Sequence, residues 1–201
     1  MKMSVLDRLF LASAALIAAW QVGVGINGAP IIPMVAYTIG FGVILVACLL
    51  LVILGKDSYR SPFLVILSTI IPLSLSLGLV WEYLPSMGVP YLVFSLVGFL
   101  AITLTRLVPL QNRLPVYILA VVHGLAGLTL VILPLYLSIA EMKALGFALV
   151  ALGGAMIGVN GLLLSFLRAG KPLLSPAVIY SIQPALLFLV TAAFVAGFKL
   201  G

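Results

Sequence analysis

The sequence contains little charge and no long polar stretch. Charged side chains make up 7% of its 201 residues, whereas apolar side chains make up 65%. A soluble domain carries roughly a quarter charged residues, and a water-soluble fold of this size has no way to bury so much apolar surface. The scarcity of charge therefore excludes the soluble classes and predicts a polytopic membrane protein.

Residues that carry out chemistry are also scarce. Cys48 is the only cysteine and His123 the only histidine, so the chain has no internal disulfide and no histidine pair for a haem. Cysteine, histidine and carboxylates form no metal-binding cluster. No carboxylate is placed to orient His123 in a serine–histidine–acid set, and the acidic residues lie at the ends of apolar stretches or between them: Asp7, Asp57, Glu82 and Glu141. We therefore expect no enzymatic activity and no cofactor.

Seven apolar stretches are each long enough to cross a hydrocarbon core, which takes about 20 helical residues. They cover about 5–25, 31–54, 62–81, 90–107, 115–138, 144–167 and 176–198. Their continuous apolar character excludes barrel strands, in which apolar and polar residues alternate. The predicted fold is an all-α bundle of seven transmembrane helices with short loops. Residues 1–201 form one domain, an N-terminal helix followed by three helical hairpins at about 31–81, 90–138 and 144–198.

The basic residues are distributed unevenly between the two ends of these helices. One end holds eight of them: Lys2, Arg8, Lys56, Arg60, Arg106, Arg113, Arg168 and Lys171. The other end holds only Lys143 and Lys199. The positive-inside rule then predicts a cytoplasmic N-terminus and an external C-terminus. Because topology accounts for the net charge of +6, we expect a lipid bilayer and no nucleic acid as partner. We expect a multi-pass protein of a prokaryotic plasma membrane.

The sixth stretch carries small residues at steps of three and four. They are Ala151, Gly154, Gly158, Gly161 and Ser165. On a helix this spacing forms one smooth stripe. In lipid, a stripe of small residues lets a second helix come close, and packing then supplies the attraction. The stripe therefore predicts a helix-packing face.

Polar side chains inside the membrane indicate where a function is located. His123, Asn160 and Gln183 each lie seven or eight residues from the predicted cytoplasmic end of their helix, a depth of roughly 10–12 Å. Ser68 and Thr69 lie at a similar depth. If these five side chains face one another, they line a ligand pocket. If neighbouring groups satisfy each of them, they contribute only hydrogen bonds within and between helices.

Two functions follow from these alternatives. The first is a small permease or channel-like protein with a polar pocket at the level of His123, Asn160 and Gln183. The alternative is a structural or accessory subunit of a larger membrane complex, or a homo-oligomer, that docks through the small-residue face of the sixth helix. The direction in which the polar side chains point distinguishes the two.

Overall fold

The computed structural model describes residues 3–55, 58, 61–108, 114–168 and 172–201. Within these residues the chain forms seven α-helices: α1 (Val5–Val24), α2 (Ile31–Leu54), α3 (Pro62–Tyr83), α4 (Gly88–Leu107), α5 (Leu114–Ile139), α6 (Ala148–Arg168) and α7 (Pro176–Leu200). Short 3-10 turns at Pro85–Met87 and Leu145–Phe147 precede α4 and α6. All seven helices are long and apolar enough to cross a membrane. The predicted seven-helix bundle is therefore confirmed.

The end of the bundle at which α1 begins, predicted to be cytoplasmic, is called the inner end. Several of the basic residues assigned to it lie outside the described residues, namely Lys2, Lys56, Arg60, Arg113 and Lys171. The side chain of Arg168 also lies outside the described part. The orientation of the bundle therefore stays a prediction from the sequence.

Serine side chains begin three of the helices at this inner end. The Ser4 hydroxyl accepts a hydrogen bond from the Asp7 N–H at 3.1 Å, and the Asp7 carboxylate accepts one from the Ser4 N–H at 2.9 Å. This reciprocal pair satisfies two amide donors at the start of α1. Ser61 and Ser175 cap α3 and α7, and each is followed by a proline suited to the first helical position.

Helix α3 is the most buried of the seven helices. The helices contact one another in chain order, α7 contacts α1, and α3 also contacts α5. In the most apolar part of α3, 67% of the residues are buried, against at most 44% in any other of the seven helices. Residues 71–76 are all buried, so α3 is enclosed on every side over this stretch. Buried apolar side chains of α1, α2, α3, α5, α6 and α7 form one continuous cluster, which fills the interior of the bundle.

The outer half of the bundle is closely packed. The rings of Tyr37 and Phe147 lie 4.7 Å and 6.0 Å from the ring of Phe198, within the range of favourable aromatic pairs. A Cβ atom at Gly197 would lie 2.6 Å from the backbone nitrogen of Val150, so only glycine fits there. This packing holds α2, α6 and α7 together at the outer end.

The inner half is more open. A Cβ atom added at Gly124, Gly127 or Gly158 would meet no other atom within 4 Å. Gly124 and Gly158 are exposed, and Gly127 is half-buried. The polar residues predicted to form a site lie in this open half.

Candidate functional site

Asn160 and Gln183 form a direct hydrogen bond between α6 and α7. The Gln183 Nε2 atom donates to the Asn160 Oδ1 atom at 2.5 Å. Gln183 is 2% exposed, and Asn160 is half-buried. This hydrogen bond uses one donor of Gln183 and the acceptor of Asn160, and an amide in hydrocarbon needs such a partner. The structure thus brings together two of the three deep polar residues found in the sequence.

The hydroxyl groups of Ser68 and Thr69 are used within α3. Both donate to the backbone carbonyl of Val65, each at 2.9 Å. Thr69 is fully buried, whereas Ser68 is exposed. Neither hydroxyl proton is directed at the amide pair, so ligand binding by these two residues stays a prediction.

His123 lies on α5 against α6. A Cβ atom added at Gly161 would be 3.9 Å from the His123 Cδ2 atom, so the imidazole edge faces the backbone of α6. The His123 Nδ1 atom is buried and has no hydrogen-bond partner among the described residues. His123 is therefore near the level of the amide pair but has one ring nitrogen unsatisfied.

Arg106, in the last turn of α4, was assigned only a topological role from the sequence. Its Nε atom is buried and, within the described part of the chain, also lacks a hydrogen-bond partner. Helices α4 and α5 are held close by Gly98, where a Cβ atom would lie 3.0 Å from the Val122 side chain. The sequence pattern could not reveal this register, because small residues also occur where no helix packs.

The small-residue stripe of α6 packs on α5 over part of its length. Ala151 is buried, and a Cβ atom at Gly154 would lie 2.7 Å from the Leu130 Cβ atom. Gly158 is exposed, and a Cβ atom added there would have no atom within 4 Å, so within this chain no helix covers that part of the stripe. Four residues turn a helix by about 400°, so Gly158 points about 40° away from Gly154. The side chain of Ser165 lies outside the described residues.

A cleft of about 680 Å³ lies at the opposite, outer end of the bundle. Its lining includes Ser138, Glu141, Lys143 and the C-terminal Gly201. The cleft is open and shallow, and none of the predicted site residues contributes to it. This cleft is therefore not the polar pocket predicted from the sequence.

Comparison of the chain with protein-family models, with curated proteins and with solved structures found no match. The functional argument therefore depends on the geometry of the bundle. That geometry consists of a hydrogen-bonded amide pair, a histidine and an arginine that each have one unpartnered nitrogen, and an open glycine-bearing face near the middle of α5 and α6.

Proposed function

We propose that this chain is a non-catalytic accessory subunit of a larger membrane protein assembly. Its docking face is formed by Gly127 of α5 and Gly158 of α6, and a transmembrane helix of another polypeptide occupies it. The observation that carries the proposal is the open space beside both glycines, each of which has no atom within 4 Å of an added Cβ.

The two glycines lie on the same side of the α5–α6 interface. These antiparallel helices approach each other at Leu130 and Gly154 and again, seven residues along each chain, at His123 and Gly161. Gly127 follows His123 by four residues, and Gly158 follows Gly154 by four. Each glycine is therefore turned by about 40° from a contact position. On antiparallel helices the two turns point to the same side, so the glycines form the floor of a groove.

A neighbouring helix suits this groove better than lipid does. Within a bilayer no hydrophobic force drives helices together, so close van der Waals packing supplies much of the attraction. Two buried glycines of this chain show this use, because Gly154 and Gly197 each lie against the backbone of another helix. A helix in the groove could approach the backbones at Gly127 and Gly158 equally closely, which flexible lipid chains cannot match.

The polar side chains support a subunit more than a transport path. Asn160 and Gln183 are hydrogen-bonded to each other, and Ser68 and Thr69 donate to their own helix. The interior of the bundle is filled by one continuous cluster of buried apolar side chains from six helices. Transport through a pocket at His123, Asn160 and Gln183 therefore remains the less supported alternative.

Photo-crosslinking in native membranes tests the docking face. In a Cys48→Ala background, Gly158→Cys is labelled with a photoreactive maleimide and irradiated. Leu152→Cys is the matched control, because Leu152 is 50% exposed on the same helix but lies about 160° around it from Gly154. We expect one defined protein adduct from position 158 and none from position 152. Adducts with lipid alone at both positions contradict the proposal, and an adduct of twice the chain's mass replaces the partner with a second copy.

A substitution that fills the groove separates docking from folding. Because an added side chain at Gly158 has free space, Gly158→Leu should leave the stability of the isolated bundle unchanged or slightly higher. The same change should remove the partner from the protein purified in mild detergent. Leu152→Phe, which enlarges an exposed side chain about 160° around α6 from Gly154, serves as the control and should retain the partner. Retention of the partner by Gly158→Leu would contradict this docking site.

A further inference from the structure

We propose that Arg106 and His123 form a binding site for a phosphate-bearing anion between α4, α5 and α6. Two observations carry this inference. The Arg106 Nε and His123 Nδ1 atoms are the two buried side-chain nitrogen or oxygen atoms without a hydrogen-bond partner in the described structure, and the two residues lie on helices α4 and α5, which contact each other. The site is separate from the proposed docking function and does not depend on it.

The two residues reach the same region from neighbouring helices. Gly98 and Val122 fix the register of α4 against α5. Arg106 lies eight residues beyond Gly98 towards the inner end, about 12 Å along the helix axis, and its long side chain extends from the last turn of α4. His123 lies one residue beyond Val122 towards the outer end, with its ring edge against Gly161, so the backbones of Arg106 and His123 differ in level by about 13 Å along the helix axis. Helical side chains lean towards the N-terminus of their own helix, so on these antiparallel helices the Arg106 and His123 side chains extend towards each other. A group between these side chains therefore sits just inside the inner membrane surface.

The hydrogen-bond donors of Arg106 and His123 indicate that the group that binds between them is an anion. A guanidinium has five N–H donors and no acceptor, and a neutral imidazole has one donor. Among the described carboxylates, Glu82 and Glu141 lie at the outer end, and Asp7 caps the start of α1. None of these three is placed to neutralise Arg106. A phosphate oxygen would accept from Arg106 and from the imidazole, and phosphate matches the fork of an arginine.

This phosphate has two possible sources, the headgroup of an anionic lipid and a soluble phosphate from the cytoplasm. The position of Arg106 in the last turn of α4 places it at headgroup level, and exposed Gly124 leaves the surface of α5 beside His123 free for an acyl chain. Both sources present the same chemistry to the two nitrogens, so the experiment must separate them.

Thermal unfolding of the intact protein, followed by the fluorescence of Trp20 and Trp81, provides the test. The protein is held in neutral detergent micelles containing phosphatidylglycerol or, as control, phosphatidylcholine. A second arm compares inorganic phosphate with chloride at equal ionic strength. We expect phosphatidylglycerol, or inorganic phosphate if the source is soluble, to raise Tm by about 5 °C when present at roughly a hundred times its Kd.

Three variants assign the effect to the site. Arg106→Gln and His123→Leu should each lose the gain in Tm. Arg8→Gln removes an exposed positive charge from the same end and should keep it. His123→Leu should also be at least as stable as the parent without ligand, because it removes an unsatisfied buried nitrogen. A histidine with a purely structural role would instead give a less stable variant.

Three results of these experiments would overturn the proposed anion site. No difference between the two lipids, together with none between phosphate and chloride, overturns the site. An equal gain in the parent protein and in Arg106→Gln also overturns it, since a general surface effect then explains the stabilisation. A full gain in His123→Leu removes the histidine from the site and refutes the two-residue proposal. If Arg106→Gln does not fold, the comparison of His123→Leu with Arg8→Gln decides.

Discussion

The hydrogen bond between Asn160 and Gln183 allows a quantitative test of the inner half of the bundle. Replacing either amide by leucine leaves the other without its partner, whereas replacing both removes the unsatisfied group. The two single variants should not be equivalent, because Gln183 is 2% exposed and Asn160 is half-buried. Asn160→Leu leaves the deeply buried Gln183 amide without its acceptor, and Gln183→Leu leaves the half-buried Asn160 amide without its donor.

The magnitudes follow from the environment of each amide. Hydrogen bonds between transmembrane helices contribute about 0.6 kcal/mol on average and up to about 1.7 kcal/mol. A buried polar group left unsatisfied costs about 1–3 kcal/mol. We therefore expect Asn160→Leu to lower the free energy of unfolding by about 1–2 kcal/mol. Gln183→Leu should lower it by about 0.5–1 kcal/mol, and the double variant by less than the sum of the two.

The measurement is a double-mutant cycle based on reversible unfolding in mixed detergent and SDS micelles. The coupling energy between the two sites should be about 0.6–1.7 kcal/mol. Ser181→Leu is the control, because Ser181 is an exposed residue of α7 whose hydroxyl bonds only to the Val178 carbonyl. This control corrects for the general effect of adding leucine to α7.

Two results would refute the reasoning. Strictly additive losses would show that the amides do not act as a pair. An Asn160→Leu variant as stable as the parent protein would show that Gln183 finds another acceptor, so that the interhelical hydrogen bond contributes nothing to stability.

Two further predictions concern packing and topology. Gly197→Val should lower the free energy of unfolding by about 1–3 kcal/mol in the same SDS assay, because its Cβ would lie 2.6 Å from the Val150 nitrogen. Gly124→Ala, which has free space, should be neutral or stabilising by up to about 1 kcal/mol, and equal losses in both variants would contradict the packing argument. A reporter fused after Gly201 should be exposed on the external side of the membrane. A cytoplasmic reporter would reverse the predicted orientation.

The number and type of the helices could be predicted because hydropathy is a local property of the sequence. The predicted start of α6 was less accurate. The sixth apolar stretch was predicted to begin at about residue 144, whereas the helix begins at Ala148. The residues between form the 3-10 turn Leu145–Phe147, which is as apolar as a helix and so gives no change in composition. Hydropathy identifies residues that belong in lipid, but it does not identify the hydrogen bonding of their backbone.

The deep burial of α3 could not be predicted. Helices α3 and α5 have the same mean hydropathy of 2.4, but 67% of the apolar window is buried in α3 and 28% in α5. In a soluble protein, the less buried helix would carry a polar face, and its composition would distinguish it from the more buried one. In a bilayer, apolar side chains are accommodated equally well against lipid and against protein. A buried helix and a lipid-facing helix therefore have similar amino-acid compositions.

The candidate site was predicted in part for similar reasons. Counting residues from the helix ends placed Asn160 and Gln183 at the same depth, and the structure joins them. Counting could not separate Gly158 from Gly161, because both continue the steps of three and four. Gly161 faces His123 and Gly158 faces outward, a difference in rotation of about 60° that has meaning only once the position of α5 is known.

Arg106 shows how a valid rule can conceal a second role. The positive-inside rule accounts fully for a basic residue at the end of a helix, so the sequence gives no reason to examine it further. Its buried Nε atom is visible only in the packed structure. Close packing is concentrated in the outer half, where glycines and aromatic rings lock the helices together. Substitutions at Arg106 or Gly158 therefore act where the bundle is open, and they can alter binding without unfolding the protein.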